Sequence, residues 1–127
     1  MKETFGLNLT MQEYDDAALT TCMDTSRNLA YMLTGLTAEV GEINDKIAKA
    51  IRKGLIGIDD NEITFNEGCD ENDFVFDLMG ELGDVLWFVN GLASVFGLPL
   101  AQVAVENIHK LKSRKERGVI DGNGDNR

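Results

Sequence analysis

The sequence is poor in the residues that build disulfide frameworks, zinc sites and histidine-rich metal sites. Its 127 residues include two cysteines and one histidine. Cys22 and Cys69 stand far apart with no CxxC pair, which indicates a reducing compartment and no structural zinc. Glu106 and His109 have the ExxH spacing of di-iron carboxylate bundles, but those sites take two such motifs. Because the chain has no second histidine, we expect no di-iron site.

Long apolar segments are missing as well. The N-terminal stretch MKETFGLNLT has no hydrophobic run of the kind that a secretory signal requires. The longest uncharged stretch, residues 85–105, contains several polar residues and is interrupted at FGLP, so we expect no membrane span and no membrane partner. These absences predict a cytoplasmic protein.

The charges are unbalanced and unevenly placed. A net charge of −10 argues against binding to a nucleic-acid polymer, but it is compatible with a small anionic ligand bound through a metal. Residues 59–84 are densely acidic, and no lysine or arginine occurs between Lys53 and Lys110. A basic cluster then follows, formed by Lys110, Lys112, Arg114, Lys115 and Arg117. Either both surfaces are simply solvated, or they meet around a metal-bound anion.

The hydrophobic periodicity predicts an all-α fold, with four helices arranged like a four-helix bundle. Thr10 and Glu13 have the spacing of a capping box at the start of the first helix. The stretch LIGIDDNEITFNEGCDEND loses the helical period, which predicts a short hairpin or a loop between the second and third helices. We expect one domain over residues 1–127, large enough to fold without disulfides. The predicted helices cover about residues 10–24, 26–53, 72–96 and 99–117.

Two pairs of acidic residues fall on the second and third helices. TAEVGEIND places Glu39 and Glu42 three residues apart, and ELGDVLW does the same for Glu81 and Asp84. This spacing puts the carboxylates of a pair on one side of a helix, where they repel each other. The third helix is apolar around most of its circumference, which is typical of buried helices, and burying unpaired carboxylates is very costly. We predict that the two pairs face each other around a divalent cation, although an exposed acidic stripe is the alternative.

The predicted ligands are all carboxylate oxygens, which suit Mg²⁺ or Mn²⁺ better than zinc. Gly41, Gly80 and Gly83 lie beside these acids. Each glycine weakens its helix by about 1 kcal/mol relative to alanine. Close approach of a helix, a metal or a substrate to the backbone would explain them, and so would loose packing.

Four motifs occur in a distinctive order on this helical frame: the ExxE of Glu39 and Glu42, ELGD, ENIHKLKSRKERG and the closing GNGDNR. Together they resemble the MazG-like all-α nucleoside triphosphate pyrophosphohydrolases, and the similarity extends from Leu9 onward. The resemblance implies hydrolysis of an NTP or dNTP to the monophosphate and pyrophosphate, with Mg²⁺ as cofactor and Mn²⁺ as a substitute. It also implies homodimers or homotetramers.

Three alternatives remain open at this point. Two keep the same fold, namely a narrower dUTP- or dCTP-directed enzyme and a guanosine tetraphosphate hydrolase. The third is a non-catalytic helical interaction protein whose acidic stripe only solvates its surface.

The resemblance implies a function for individual residues. The Mg²⁺-binding carboxylates of the family match Glu39, Glu42, Glu81 and Asp84. From the chemistry of metal-assisted hydrolysis we expect either Glu39 or Glu42 to be the catalytic carboxylate that also orients the attacking water. The substrate-binding positions match Lys49, Asn107, Lys110, Arg114 and Arg127. Many members of the family have a glutamate directly before the ExxE, and Ala38 occupies that position here. The substitution removes one candidate metal ligand or base.

Overall fold

The computed structural model describes residues 4–127, so residues 1–3 of the predicted domain lie outside the described residues. Within residues 4–127 the chain forms four α-helices, a short 3-10 turn and one two-stranded hairpin. In chain order these are α1 (Met11–Leu19), the 3-10 turn (Asp24–Ser26), α2 (Leu29–Arg52), β1 (Ile56–Asp59), β2 (Glu62–Phe65), α3 (Glu71–Val95) and α4 (Leu100–Glu116). The all-α prediction is confirmed, and the stretch predicted as a hairpin or loop is a hairpin.

The first helix is shorter than its predicted range, while its predicted cap is present. The Thr10 hydroxyl accepts a hydrogen bond from the Glu13 N–H at 3.1 Å, and the Thr10 N–H donates to the Glu13 carboxylate at 2.7 Å. The helix ends at Leu19 instead of about residue 24. Next to this end, the hydroxyls of Thr20 and Thr21 donate back to carbonyls of the last turn. Such local side-chain bonds compete with continuation of the helix.

The hairpin between α2 and α3 turns at Asp60 and Asn61. Both residues have positive φ angles, 46° and 67°, as a two-residue hairpin turn that matches the strand twist requires. Asp59 pairs with Glu62 across this turn. The hairpin returns the chain so that α3 can pack along α2.

Helices α2 and α3 form the main packed pair of the molecule. A Cβ placed on Gly35 would overlap the Phe88 ring, and one on Gly91 would overlap the Met32 side chain. Glycine at these two positions therefore allows the helices to approach closely. Because Met32 lies by Gly91 and Gly35 by Phe88, the two helices run antiparallel in a defined register.

The buried core is small and lies at one end of this helix pair. Cys22, Met32 and Phe88 form its centre, and Leu36, Trp87 and Leu92 pack around it. The Trp87 indole N–H donates to the Ala18 carbonyl at 3.2 Å and to the Thr21 hydroxyl at 2.8 Å. Trp87 thus connects α3 to α1.

Helix α4 leaves α3 at an angle of 99°. Pro99 is its N-cap residue and offers no capping side chain. Instead, the buried Asp15 of α1 accepts a hydrogen bond from the Leu100 N–H at 3.4 Å. The start of α4 is thereby held against α1.

Length and apolarity together decide whether a helix could cross a membrane. No single helix in this part of the chain, residues 4–127, is both long and apolar enough to cross a membrane, and α3 and α4 meet both conditions only as a pair with a 99° bend between them. The cytoplasmic location and the extent of the domain stay predictions.

Candidate metal centre

Three carboxylates from α2 and α3 converge at the middle of the helix pair. Each of Glu39, Glu81 and Asp84 offers an oxygen, and these oxygens lie within 4.8 Å of one another. The register set by Gly35 against Phe88 continues along the helices and places Glu39 opposite Asp84. Glu39 and Glu81 are half-buried, whereas Asp84 is exposed. Three hard oxygen donors in this arrangement can hold a divalent cation such as Mg²⁺ or Mn²⁺.

The fourth predicted ligand, Glu42, lies at the edge of this cluster. Its side chain is exposed, and it is not one of the three residues whose oxygens converge. Its charge still reaches Glu39, because it is among the groups that raise the pKa of Glu39. The structure therefore brings Glu39, Glu81 and Asp84 together and leaves Glu42 beside them.

The electrostatics of the cluster favour a cation. Partial loss of hydration, together with the negative charges of Asp84, Glu81 and Glu42, raises the pKa of Glu39 above its ordinary value. Burial, followed by the charge of Asp84, likewise raises the pKa of the Tyr14 hydroxyl on α1. Helix α1 thus borders the cluster on the Asp84 side. A divalent cation would relieve the repulsion among the carboxylates that contributes to the raised pKa of Glu39.

Sequence reasoning missed one member of this centre, Lys46. Its Nζ lies 3.3 Å from the Glu81 Oε1 and 4.0 Å from the Asp77 Oδ2. The sequence offers no basic residue on the third helix, but Lys46 approaches from α2 instead. It follows Glu39 by seven residues, which is two helical turns, and so shares its face. That spacing is the signal that could have identified it.

Three of the five predicted substrate residues line two separate grooves. Lys49 pairs with Asp45 on its own helix and lines a groove of about 250 Å³ with Lys46 and Lys53. Asn107 and Lys110 line a different groove of about 470 Å³ along α4. Neither of these two α4 residues lines the groove beside the carboxylate cluster.

The other two predicted substrate residues hold the C-terminal tail. Arg114 is 5% exposed and donates to the carbonyl of Asp125 at 3.0 Å and to its carboxylate at 3.2 Å. Arg127 donates to the Gly124 carbonyl, and its own carbonyl accepts from Arg117 at 2.7 Å. These contacts fold the tail onto the end of α4, so both guanidinium groups are engaged there.

Comparison with known proteins supports the resemblance drawn from the motifs. A family model described as the MazG nucleotide pyrophosphohydrolase domain matches residues 27–119. The chain belongs to the MazG family. The MazG match covers α2, the hairpin, α3 and α4, and so includes Lys46 and all three clustered carboxylates.

One relative comes from a bacteriophage. The Gene 37 protein of Mycobacterium phage L5 is 41% identical over 104 residues, which cover 82% of this chain and 81% of that protein. No solved structure matches the chain. The MazG domain identifies the chain as a nucleotide pyrophosphohydrolase, and its carboxylates fit a divalent cation.

Proposed function

We propose that this MazG protein is a Mg²⁺-dependent hydrolase that converts nucleoside or deoxynucleoside triphosphates to the monophosphate and pyrophosphate, with Mn²⁺ able to replace Mg²⁺. The observation that carries the proposal is the convergence of Glu39, Glu81 and Asp84 within 4.8 Å. Family membership supports nucleotide pyrophosphohydrolysis, and the all-oxygen donor set supports the choice of metal.

Metal ions held by these three carboxylates would polarise phosphoryl oxygens and lower the pKa of the attacking water. Glu42 sits beside the cluster with an exposed carboxylate. We therefore assign it the orientation of that water through a hydrogen bond, while Glu39, Glu81 and Asp84 hold the cation. Basic side chains near the cluster would stabilise the charge that develops on the leaving pyrophosphate.

We also propose that the chain works as a homodimer or as a homotetramer built from dimers. The apolar side chains on α3 that point away from the acidic cluster are exposed, namely Val75, Met79, Leu82 and Leu86. Helical geometry places these four residues on one stripe, opposite the stripe of Asp77, Glu81 and Asp84. A second copy of the chain would bury this apolar stripe without covering the carboxylates.

The accessible surface of the chain supports the same proposal. It amounts to 9573 Å². A folded monomer of 14.0 kDa exposes about 6,700 Å², so the excess is about 2,900 Å². Obligate homodimers bury about 2,000–5,000 Å² or more in total. Each chain of a homodimer loses half of that total, about 1,000–2,500 Å². The excess on one chain is therefore large enough for an obligate dimer interface and lies above the upper value, as further assembly into a tetramer would require.

The proposed reaction is tested by analysing the products of each common NTP and dNTP with Mg²⁺, with Mn²⁺ and with EDTA. We expect metal-dependent release of pyrophosphate and the monophosphate. Asp84→Asn should lose both turnover and metal-dependent thermal stabilisation, whereas Glu42→Gln should lose turnover by about 10²-fold or more and keep the stabilisation. Glu62→Gln on the exposed hairpin is the matched control and should change neither.

Two results would contradict the proposal. Release of single phosphate would move the cleavage to another bond. Failure to hydrolyse any nucleotide, together with no metal-dependent thermal shift, would favour a helical interaction protein instead.

A further inference from the structure

One face of α2 changes from acidic to basic along its length. Glu39, Glu42, Lys46, Lys49 and Lys53 lie within an arc of about 80° on the helix. The two glutamates belong to the carboxylate centre or its edge, and the three lysines follow in the direction of the helix C-terminus. A ligand with both a metal-bound end and an anionic end would find both partners on this one face.

The three lysines surround a groove between the second half of α2 and the start of α3. The groove has a volume of about 250 Å³, and its other lining residues are Ala50, Leu55, Phe74 and the acidic Asp77. Lys46 lies at the end of the groove nearest the carboxylates, because its Nζ contacts Glu81 at 3.3 Å. Lys46 therefore lines the groove and also contacts the candidate metal centre.

Basic side chains are scarce in this part of a protein whose net charge is −10. No lysine or arginine occurs between Lys53 and Lys110, so α3 and the hairpin supply none. On α4, Arg114 is engaged by the tail and Lys110 lines a separate groove. Among the described residues, Lys46 is thus the cation in contact with the carboxylate cluster, and Lys49 and Lys53 follow it along α2.

We propose that this lysine groove binds the pyrophosphate end of the substrate, and that Lys46 moves from Glu81 to a phosphate oxygen when a divalent cation occupies the cluster. The inference rests on the proposed function, because it assumes a substrate whose phosphates are bound at the metal centre. Cation binding at Glu81 removes the charge that holds Lys46, and the freed ammonium group lies at the mouth of the groove. The contacts to the leaving pyrophosphate, which the sequence predicted for residues of α4, would then come from α2 of the same chain.

The spacing along α2 predicts an order of importance. Lys46 lies about 10 Å along the helix axis from Glu39, and Lys53 lies about 21 Å from it. A pyrophosphate group next to the cluster is therefore within reach of Lys46 first and Lys49 second. Lys53 is the most distant of the three lysines and should contribute least.

The experiment measures the affinity of inorganic pyrophosphate for the full chain by calorimetry with Mg²⁺ present. Lys46→Gln should weaken pyrophosphate binding by about tenfold or more, because a charge-assisted contact to phosphate is lost. Lys49→Gln should have a smaller effect, and Lys53→Gln should change the affinity by less than about threefold. Lys112→Gln, an exposed position on α4 with the same change in charge, is the control and should leave the affinity unchanged.

A second measurement uses Mn²⁺ alone. If Lys46 is the internal counter-ion of Glu81, its removal should tighten Mn²⁺ binding roughly two- to fivefold, as expected for loss of a partly exposed ion pair. A lysine that only supported the fold would not produce this gain, and melting curves of each variant establish that the fold is retained. Weaker Mn²⁺ binding in Lys46→Gln, at an unchanged melting temperature, would contradict the counter-ion assignment.

Three outcomes would overturn the groove assignment: undetectable pyrophosphate binding by the wild type, equal affinities of Lys46→Gln and Lys112→Gln, or weakened binding of a nucleoside monophosphate instead of pyrophosphate. Failure of the groove is distinguishable from failure of the proposed function. Normal nucleotide hydrolysis in Lys46→Gln with unchanged pyrophosphate affinity would remove only the groove. Lysine-dependent pyrophosphate binding without hydrolysis of any nucleotide would support the groove and remove the reaction.

Discussion

Glu39 shows most directly why a cluster of carboxylates needs a cation. It is half-buried, and partial loss of hydration, followed by the charges of Asp84, Glu81 and Glu42, raises its pKa. The folded protein therefore binds the Glu39 proton more tightly than the unfolded chain does. In the absence of metal, this difference makes the free energy of unfolding depend on pH.

We expect the metal-free wild type to lose stability as the pH rises above the ordinary carboxyl value of 4.5 and through the raised pKa of Glu39. In this interval the native state holds more protons than the unfolded state, so the unfolding free energy falls with increasing pH. Glu39→Gln has no proton to lose and should lack this contribution. Thermal unfolding in EDTA between pH 4 and pH 7 measures the difference.

The control for this prediction is Glu67→Gln, which removes an exposed glutamate before α3, outside the carboxylate cluster. Its melting temperatures should follow the wild-type pH dependence. If Glu39→Gln also follows that curve, the crowding of carboxylates around Glu39 has no effect on stability, and the electrostatic argument for a cation is lost.

Much of this site could be predicted from residue spacing, because both helices carry their acids at helical intervals. The pairing of Lys46 with Glu81 could not, since it depends on the register between two helices. The engagement of Arg114 by Asp125 was also hidden, because the motif gives no information on how the tail folds. Spacing within one helix is local, whereas these contacts are tertiary.

The glycines of α2 and α3 have two different surroundings, and the sequence alone could not tell which glycine has which. A Cβ on Gly35 would overlap the Phe88 ring. At Gly41, Gly80 and Gly83, the only atoms of the described chain within 4 Å of a Cβ position belong to the adjacent residues or to the nearby backbone of the same helix. Gly35 thus serves the packing of the two helices, whereas the other three glycines face open space in the single chain.

We expect Gly35→Ala and Gly83→Ala to change stability in opposite directions. The Gly35 variant should lose roughly 1–3 kcal/mol, because the added methyl group overpacks the contact with Phe88. The Gly83 variant should gain roughly 0.5–1 kcal/mol from the higher helix propensity of alanine. Denaturant unfolding in EDTA, at a concentration where the chain is monomeric, compares the two.

Gly83→Ala also distinguishes the reasons for keeping a glycine beside Asp84. A variant that is more stable but has lost turnover or self-association would show that a ligand or a second chain approaches the backbone there. A variant that is more stable and unchanged in both would support loose packing as the explanation. A destabilised Gly83→Ala would contradict the open space seen around this position.

Within residues 4–127, many large apolar side chains are exposed and few are buried. The apolar circumference of α3 was evident from the sequence, and helix boundaries were predicted to within a few residues except at the end of α1. The direction in which each side of α3 faces was not evident, because it depends on packing against α2. The structure places the acids toward α2 and leaves the stripe of Val75, Met79, Leu82 and Leu86 outward.

The outward stripe leads to a prediction about assembly. We expect the wild type to sediment as a dimer or tetramer, and Met79→Glu to weaken the association about tenfold or more, because a charge would be buried without a partner. Met79 is 57% exposed and lies on the side of α3 opposite the acidic stripe, so the variant should keep its metal-dependent thermal shift.

Leu7→Glu, at a fully exposed N-terminal position, adds the same charge as a control and should sediment like the wild type. A monomeric wild type, or a Met79→Glu variant that associates as tightly as Leu7→Glu, would show that the α3 stripe is not the surface that joins the chains.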